Sequence, residues 1–113
     1  MVSYGDDGWR IESNILSVRL GNSGLKVSRI ILGCMSYGNS EPLQPWVLDE
    51  EETLKHIKVA YDLGIQTFDT ADAYAHGGSE TFLGNAIKKL CLPREEIVVM
   101  TKVVFRKVFP KPL

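Results

Sequence analysis

Between residues 27 and 101 the chain alternates short apolar segments with longer segments of helical periodicity, and this alternation limits the folds it can adopt. The apolar segments at 27–32, 65–68 and 97–101 are rich in residues that favour strands. Apolar strands separated by amphipathic helices pair in parallel through right-handed crossovers. The pattern therefore predicts an α/β protein, and by itself it leaves open a closed barrel or an open doubly wound sheet.

Two helices are predicted between these strands. Asp49 is a suitable N-cap for the first helix, Glu52 stands where a capping box requires an acidic residue, and Gly64 is a candidate C-terminal cap. The second helix is predicted to begin near Ser79. Its apolar stripe repeats at the spacing of one helical face: Phe82, Leu83, Ala86, Ile87 and Leu90.

The ends of the chain differ from this central pattern. Apolar segments flank Gly-Asn-Ser-Gly at 21–24, which is typical of a β-hairpin. Residues 1–14 are polar, and we expect a disordered leader there. Residues 105–113 are basic and interrupted by prolines, so we expect a divergent tail. One domain is assigned to residues 15–104.

The charge and cysteine content narrow the class of protein. With 13 basic and 14 acidic residues the net charge is −1, which provides no attraction for nucleic acid or a membrane surface. The two cysteines have neither metal-ligand nor redox spacing, which favours a reducing compartment and no metal. There is no apolar segment of signal or membrane-spanning length. We therefore expect a cytoplasmic protein.

Polar side chains follow two of the predicted strands. Asp69 ends the second strand, Lys102 follows the third, and Tyr74 lies in the loop after Asp69. Ligands and reacting groups gather at the carboxyl edge of a parallel sheet, so these three side chains are expected to converge. The alternative is structural, because aspartate at a strand end often forms a turn and lysine after a strand is often only solvated.

The chemistry of the three groups is complementary. A nearby lysine ammonium favours the phenolate form of a tyrosine and makes it a better proton donor, so Tyr74 is a candidate general acid. Asp69 would hold the ammonium of Lys102 in place. Such a trio suits proton delivery to a carbonyl oxygen while a hydride reaches the carbonyl carbon.

Several motifs resemble the aldo-keto reductase family, in particular its fungal aryl-alcohol dehydrogenase-like branch. Together they extend over residues 17–104 in the order and spacing of that family. They are LGNSGLKVS at 20–28, ILGCMSYG at 31–38, FDTADAY at 68–74, GSE at 78–80, LG at 83–84 and VMTKV at 99–103.

The resemblance implies a fold and a set of site residues. The fold would be the N-terminal part of a (β/α)8 TIM barrel, truncated, with a hairpin plug, the first three strands and two helices. Asp69, Tyr74 and Lys102 match the catalytic positions of the family. The loop Gly33-Cys34-Met35, together with Asp69, matches residues that contact the cofactor. The position of Cys34 is often threonine in the family, and Asp72 is expected to support its loop.

The implied activity is NADP(H)-dependent reduction of aldehydes or ketones to alcohols. The substrate would be a small carbonyl compound, aromatic aldehydes included. A whole barrel needs about 250 residues, and in the family the catalytic histidine and most cofactor contacts come from later strands. We therefore expect this chain to be an inactive or incomplete fragment that self-associates through an exposed strand edge.

Two other interpretations remain open. The chain could be a non-catalytic binding subunit similar to the β subunits of potassium channels, or a short α/β protein of unrelated function. His56 is expected on the surface and His76 at a substrate mouth. Tyr37 and Trp46 could contact an apolar substrate or could serve packing.

Overall fold

A parallel sheet of three strands, with two helices packed beside it, forms the body of the protein. The structure is a computed structural model and describes residues 2–3, 10–11, 17–39 and 44–104. The sheet strands are β5 (Leu32–Gly33), β6 (Thr67–Asp69) and β7 (Val98–Met100), adjacent in that order. The helices are α1 (Glu50–Asp62) and α2 (Gly78–Lys89).

The remaining elements are short. Strands β3 (Ser17–Arg19) and β4 (Lys26–Ser28) form the predicted hairpin, and their pairing is antiparallel. Strands β1 (Val2–Ser3) and β2 (Arg10–Ile11) also pair antiparallel, and they are the part of the predicted leader that the structure describes. The predicted tail lies outside the described residues.

The parallel sheet confirms the predicted α/β class. Within the described chain, β5 and β7 each pair only with the central strand β6. Self-association through an outer edge of this sheet stays a prediction. No helix in the described part of the chain is long and apolar enough to span a membrane.

Helix α1 begins and ends where the sequence predicts. The backbone N–H of Glu52 donates to the Asp49 carboxylate over 2.9 Å. The carboxylate of Glu52 accepts a bond of 2.8 Å from Lys55, one turn further along the helix. Gly64 follows the helix with a φ of 97°, the left-handed conformation that glycine adopts without a steric penalty.

The predicted continuous strand at 27–32 is wrong. The structure divides that segment between β4 in the hairpin and β5 in the parallel sheet. The side chain of Ser28 causes the division, because its Oγ accepts the backbone N–H groups of Gln66 and Thr67 over 3.2 and 3.1 Å. The chain therefore leaves the hairpin at Ser28 and enters the parallel sheet at Leu32.

The core lies between the sheet and the helices. In the predicted stripe of α2, Phe82, Leu83 and Ala86 are buried, while Ile87 and Leu90 pack against the core and are partly buried. This confirms the helical periodicity seen in the sequence. The cluster of buried residues consists of Cys34, Tyr37, Ile57, Phe68, Leu83, Ala86, Leu92 and Ile97.

Candidate active site

The candidate site lies at the carboxyl edge of the parallel sheet. Gly33 is opposite Asp69 in the register, and Asp69 is opposite Met100. The pairing continues beyond the strands, because the N–H of Thr70 donates to the carbonyl of Met100 over 2.8 Å. The segments that leave β6 and β7 therefore stay side by side.

The ammonium of Lys102 is the centre of this site. It donates to both carboxylate oxygens of Asp69, each over 2.9 Å, and to the carbonyl oxygen of Thr70 over 2.7 Å. All three acceptors belong to Asp69 and to the residue that follows it. The position of the ammonium is thus fixed by groups from the neighbouring strand and its loop.

Tyr74 lies against the same ammonium. The Lys102 Nζ is 4.9 Å from the centroid of the Tyr74 ring, within the range of a cation–π interaction. Tyr74 begins a short 3-10 helix, Tyr74–Gly77, in which Ala75 and His76 have left-handed backbone angles. Such angles are costly for residues other than glycine and are common at functional sites. Through this ring contact and the hydrogen bonds to Asp69, Lys102 brings Asp69, Tyr74 and itself together in one site.

The hydrogen bonds from Lys102 to Asp69 raise the pKa of the lysine above its ordinary value, against a smaller opposing effect of desolvation. The side chains of Lys102 and Asp69 are 47% and 35% exposed. A small molecule could therefore reach the pair from solvent. At neutral pH the lysine is a fixed positive charge beside the phenol of Tyr74.

In the loop after β5, some residues face the candidate site and others are buried in the core. Gly33 is exposed, and the side chain of Met35 is also exposed, at 56%. The Cys34 side chain is fully buried, and burial, with the nearby charge of Asp69, raises the pKa of its thiol to about 12. Gly33 and Met35 are accessible to a ligand, whereas the thiol between them is not.

Two hydroxyl residues were missed by the sequence analysis. Thr70 and Ser79 are buried and lie 2.8 Å apart between their side-chain oxygens. Hydroxyl residues are common after strands and at helix starts, so their types gave no signal of this contact. Only the approach of α2 to the loop after β6 brings them together.

Other residues have mainly structural contacts. The Asp72 carboxylate accepts the N–H of Val104 over 3.1 Å, which agrees with its predicted role in supporting the loop.

Tyr37 is buried, and its hydroxyl lies 3.3 Å from His56 Nδ1, which favours packing for this tyrosine. His56 is exposed as predicted, and Trp46 is also exposed. His76 is exposed in the loop after Tyr74.

Within residues 17–39 and 44–104, no three His, Cys, Asp or Glu side chains are grouped so that they could hold a metal ion. The groups at the sheet edge are a phenol, an ammonium and a carboxylate. They are suited to moving a proton at a polar bond.

Comparison with known proteins gives close relatives. The chain is 54% identical over 99 residues to versiconal hemiacetal acetate reductase of Aspergillus parasiticus, covering 84% of this chain and 29% of the relative. It is 58% identical over 87 residues, 76% of this chain and 25% of the relative, to a Schizosaccharomyces pombe protein provisionally named an aryl-alcohol dehydrogenase. A third relative, from the same yeast, is provisionally named a voltage-gated potassium channel subunit beta. It is 51% identical over 76% of this chain and 24% of its own length.

Solved structures agree with these relatives. An aldo-keto reductase from Bacillus halodurans, in its holo form, matches 79% of this chain with a TM-score of 0.63 and 35% identity, over 26% of its own length. The fold of this chain is therefore, as predicted, a portion of the aldo-keto reductase barrel. The chain spans between 24% and 29% of the length of the three relatives above.

A family model gives the same assignment. It matches residues 29–112, which include every residue of the candidate site. The hairpin at β3 and β4 lies before the matched segment, and the two parallel crossovers lie within it. The chain belongs to the aldo/keto reductase family.

Proposed function

We propose that this chain provides the proton-donating residues of an NADP(H)-dependent reductase that converts aldehydes or ketones to alcohols. The observation that carries the proposal is the position of the Lys102 ammonium, which binds Asp69 and lies against the ring of Tyr74. Relatives that are named as a reductase and as an aryl-alcohol dehydrogenase support the same reaction class.

The three residues would have distinct roles. Tyr74 would give its phenolic proton to the carbonyl oxygen, leaving a phenolate. The ammonium of Lys102 would stabilise that phenolate, since an opposite charge nearby favours the ionised form. Asp69 would orient Lys102 through its two hydrogen bonds. The exposure of the site would let solvent return a proton to Tyr74 after the alcohol leaves.

The residues beside this trio fit the reacting end of a nicotinamide cofactor, which family members bind. Gly33, opposite Asp69 in the register, has no side chain to block a close approach to its backbone. The exposed Met35 thioether is suited to contact with an aromatic ring. We assign Gly33 and Met35 as contacts of the cofactor. The backbone of Cys34 would join them, since its thiol is buried. A bound reduced nicotinamide would supply the hydride to the carbonyl carbon.

The test begins with the protein captured from its source by an antibody against the β3–β4 hairpin, and its intact mass is measured first. The captured protein is then assayed for NADPH oxidation with an aromatic aldehyde. In a matched variant, Tyr74→Phe, we expect kcat to fall by roughly 10²- to 10⁴-fold, the usual contribution of a general acid.

Tyr61→Phe is the matched control. Tyr61 lies on α1, and its hydroxyl contacts Glu96 rather than the site. This variant should keep the activity of the parent protein. Full activity in Tyr74→Phe, or an equal loss in both variants, would refute the assignment of Tyr74 as the proton donor.

A second candidate function is that of a non-catalytic binding subunit, which the potassium channel subunit beta relative supports. Under this hypothesis a channel subunit would co-purify with the captured protein, and Tyr74→Phe would not alter that binding. Capture of such a partner by a protein that turns over no aldehyde would favour this function over the first.

A further inference from the structure

Ser79 occupies a buried position in the first turn of α2, where it connects two loops of the candidate site. Its hydroxyl donates to the carbonyl oxygen of Cys34 over 2.6 Å. The hydroxyl of Thr70 lies 2.8 Å from the same Ser79 oxygen. Because a carbonyl cannot donate and Ser79 has one hydroxyl proton, Thr70 must donate to Ser79. The result is a series of two hydrogen bonds, in which Thr70 donates to Ser79 and Ser79 donates to the Cys34 carbonyl.

Both ends of this hydrogen-bond series, Cys34 and Thr70, are connected to the site through backbone groups. The N–H of Cys34 donates to the carbonyl of Asp69 over 2.8 Å. The carbonyl of Thr70 accepts the ammonium of Lys102 over 2.7 Å. Ser79 therefore lies between the loop that presents Gly33 and Met35 and the loop that holds Lys102.

We propose that Ser79 is a positioning residue, which fixes the two loops of the site relative to each other through the Thr70 hydroxyl and the Cys34 carbonyl. Its effect on turnover rests on the proposed reductase function, whereas its effect on the two loops does not. Without the Ser79 hydroxyl, the Cys34 carbonyl keeps only the N–H of Tyr37, at 3.2 Å, among the described bonds. The hydroxyl of Thr70 would also lose its acceptor.

A purely structural role would make Ser79 equivalent to other buried hydroxyls. Thr53 supplies the comparison, because it is fully buried and its hydroxyl donates to the Asp49 carbonyl over 2.7 Å at the start of α1. Thr53→Val removes a buried hydroxyl bond away from the site. It therefore controls for the general loss of stability that any such substitution causes.

The experiment compares Ser79→Ala, Thr70→Val, Thr70→Ser and Thr53→Val in the full chain. The first readout is the alkylation rate of Cys34, with the exposed Cys91 as an internal reference. We expect Ser79→Ala and Thr70→Val to accelerate Cys34 alkylation by roughly tenfold, the factor for one lost hydrogen bond to a buried group. Thr70→Ser keeps the hydroxyl and should retain most of the protection, and Thr53→Val should match the parent protein.

The second readout is the pKa of Lys102, followed by NMR of its side chain. Loss of Ser79 should lower it, because the Thr70 carbonyl would no longer be held beside the ammonium. Equal acceleration of Cys34 alkylation in Thr53→Val and Ser79→Ala would overturn the proposal, as would unchanged values of both readouts in Ser79→Ala.

Turnover is the third readout. We expect Ser79→Ala to lower kcat more than it changes KM, because the proton donor and its lysine would lose their alignment. If the parent protein shows no turnover, the reductase function fails, but Cys34 protection and the Lys102 pKa still decide the role of Ser79.

Discussion

The carboxylate of Asp69 accepts two hydrogen bonds of 2.9 Å from the ammonium of Lys102, although the two residues are 33 positions apart in the chain. Parallel pairing of β6 with β7 produces this contact, because it places the residues that leave both strands on the same edge. The ion pair is bidentate and partly exposed, so it orients the Lys102 side chain more than it stabilises the fold.

The first prediction concerns the charge of Lys102. Asp69→Asn should lower the pKa of Lys102, because its hydrogen bonds to Asp69 are the main cause of the raised value. A lysine pKa that is raised by folding stabilises the protein below the unfolded pKa, and this contribution is lost as pH rises through the folded pKa. The stabilising contribution of the Lys102 charge should therefore persist at neutral pH and disappear only in alkali.

The measurement for this prediction is an NMR titration of the lysine side chains. Asp62→Asn is the control, because Asp62 pairs with Lys58 on the surface of α1. It should leave the Lys102 signal unchanged. A Lys102 pKa that is the same in the parent protein and in Asp69→Asn would contradict the prediction.

The second prediction concerns alkaline unfolding. Folding raises the pKa of the Cys34 thiol from its ordinary value of 9.0 to about 12. Between these values the unfolded chain loses a proton that the folded chain keeps, so the free energy of unfolding should fall as pH rises. The slope for one such group is about 1.4 kcal/mol per pH unit.

Denaturant titrations between pH 8 and pH 11 would measure this slope. In Cys34→Ala the fall should be shallower, whereas Cys91→Ala should behave as the parent protein because Cys91 is exposed. Burial also raises the pKa of Tyr37 to about 12, so part of the slope should remain in Cys34→Ala. Identical slopes in all three proteins would show that the thiol is not protected.

The third prediction concerns the turn that carries Tyr74. Gly38 has a φ of 145°, and a Cβ added there would lie 2.2 Å from the Cβ of Ala75. Gly38→Ala should displace the Tyr74 turn and cost more than about 1 kcal/mol in stability, since the backbone angle and the contact are both unfavourable.

Gly84→Ala is the matched control for Gly38→Ala. Gly84 lies within α2, and a Cβ added there meets nothing within 4 Å. The substitution should stabilise the protein by roughly 0.5–1 kcal/mol, the helical preference for alanine over glycine. Thermal unfolding of both variants measures the difference, and a Gly38→Ala variant as stable as the parent would disprove the close contact with Ala75.

The fourth prediction concerns the connection of the hairpin to the sheet. Ser28→Ala removes the acceptor of the Gln66 and Thr67 N–H groups, and each buried group left unpaired costs about 1–3 kcal/mol. Hydrogen exchange at these two amides should accelerate. Ser23→Ala, in the exposed hairpin turn, should change neither exchange nor stability appreciably. Unchanged protection at Thr67 in Ser28→Ala would contradict the proposed connection.

Local signals made much of the fold predictable. Asp49 caps α1 and Gly64 follows its end because capping and left-handed turns depend on residues close in sequence. The periodicity of α2 identified its buried face for the same reason. At Ser28 this kind of inference failed, because the side chain that divides the predicted strand bonds to residues 38 and 39 positions away.

The sequence by itself determined the α/β order, the family and the convergence of Asp69, Tyr74 and Lys102, since strand order and local motifs specify which residues leave the same sheet edge. Only the tertiary structure decided that the Cys34 thiol is buried and that Ser79 joins Thr70 to Cys34. Those facts depend on how α2 packs against two loops, because Cys34 and Ser79 are 45 positions apart in the sequence. No local pattern of residue types encodes the direction in which a side chain points after such packing.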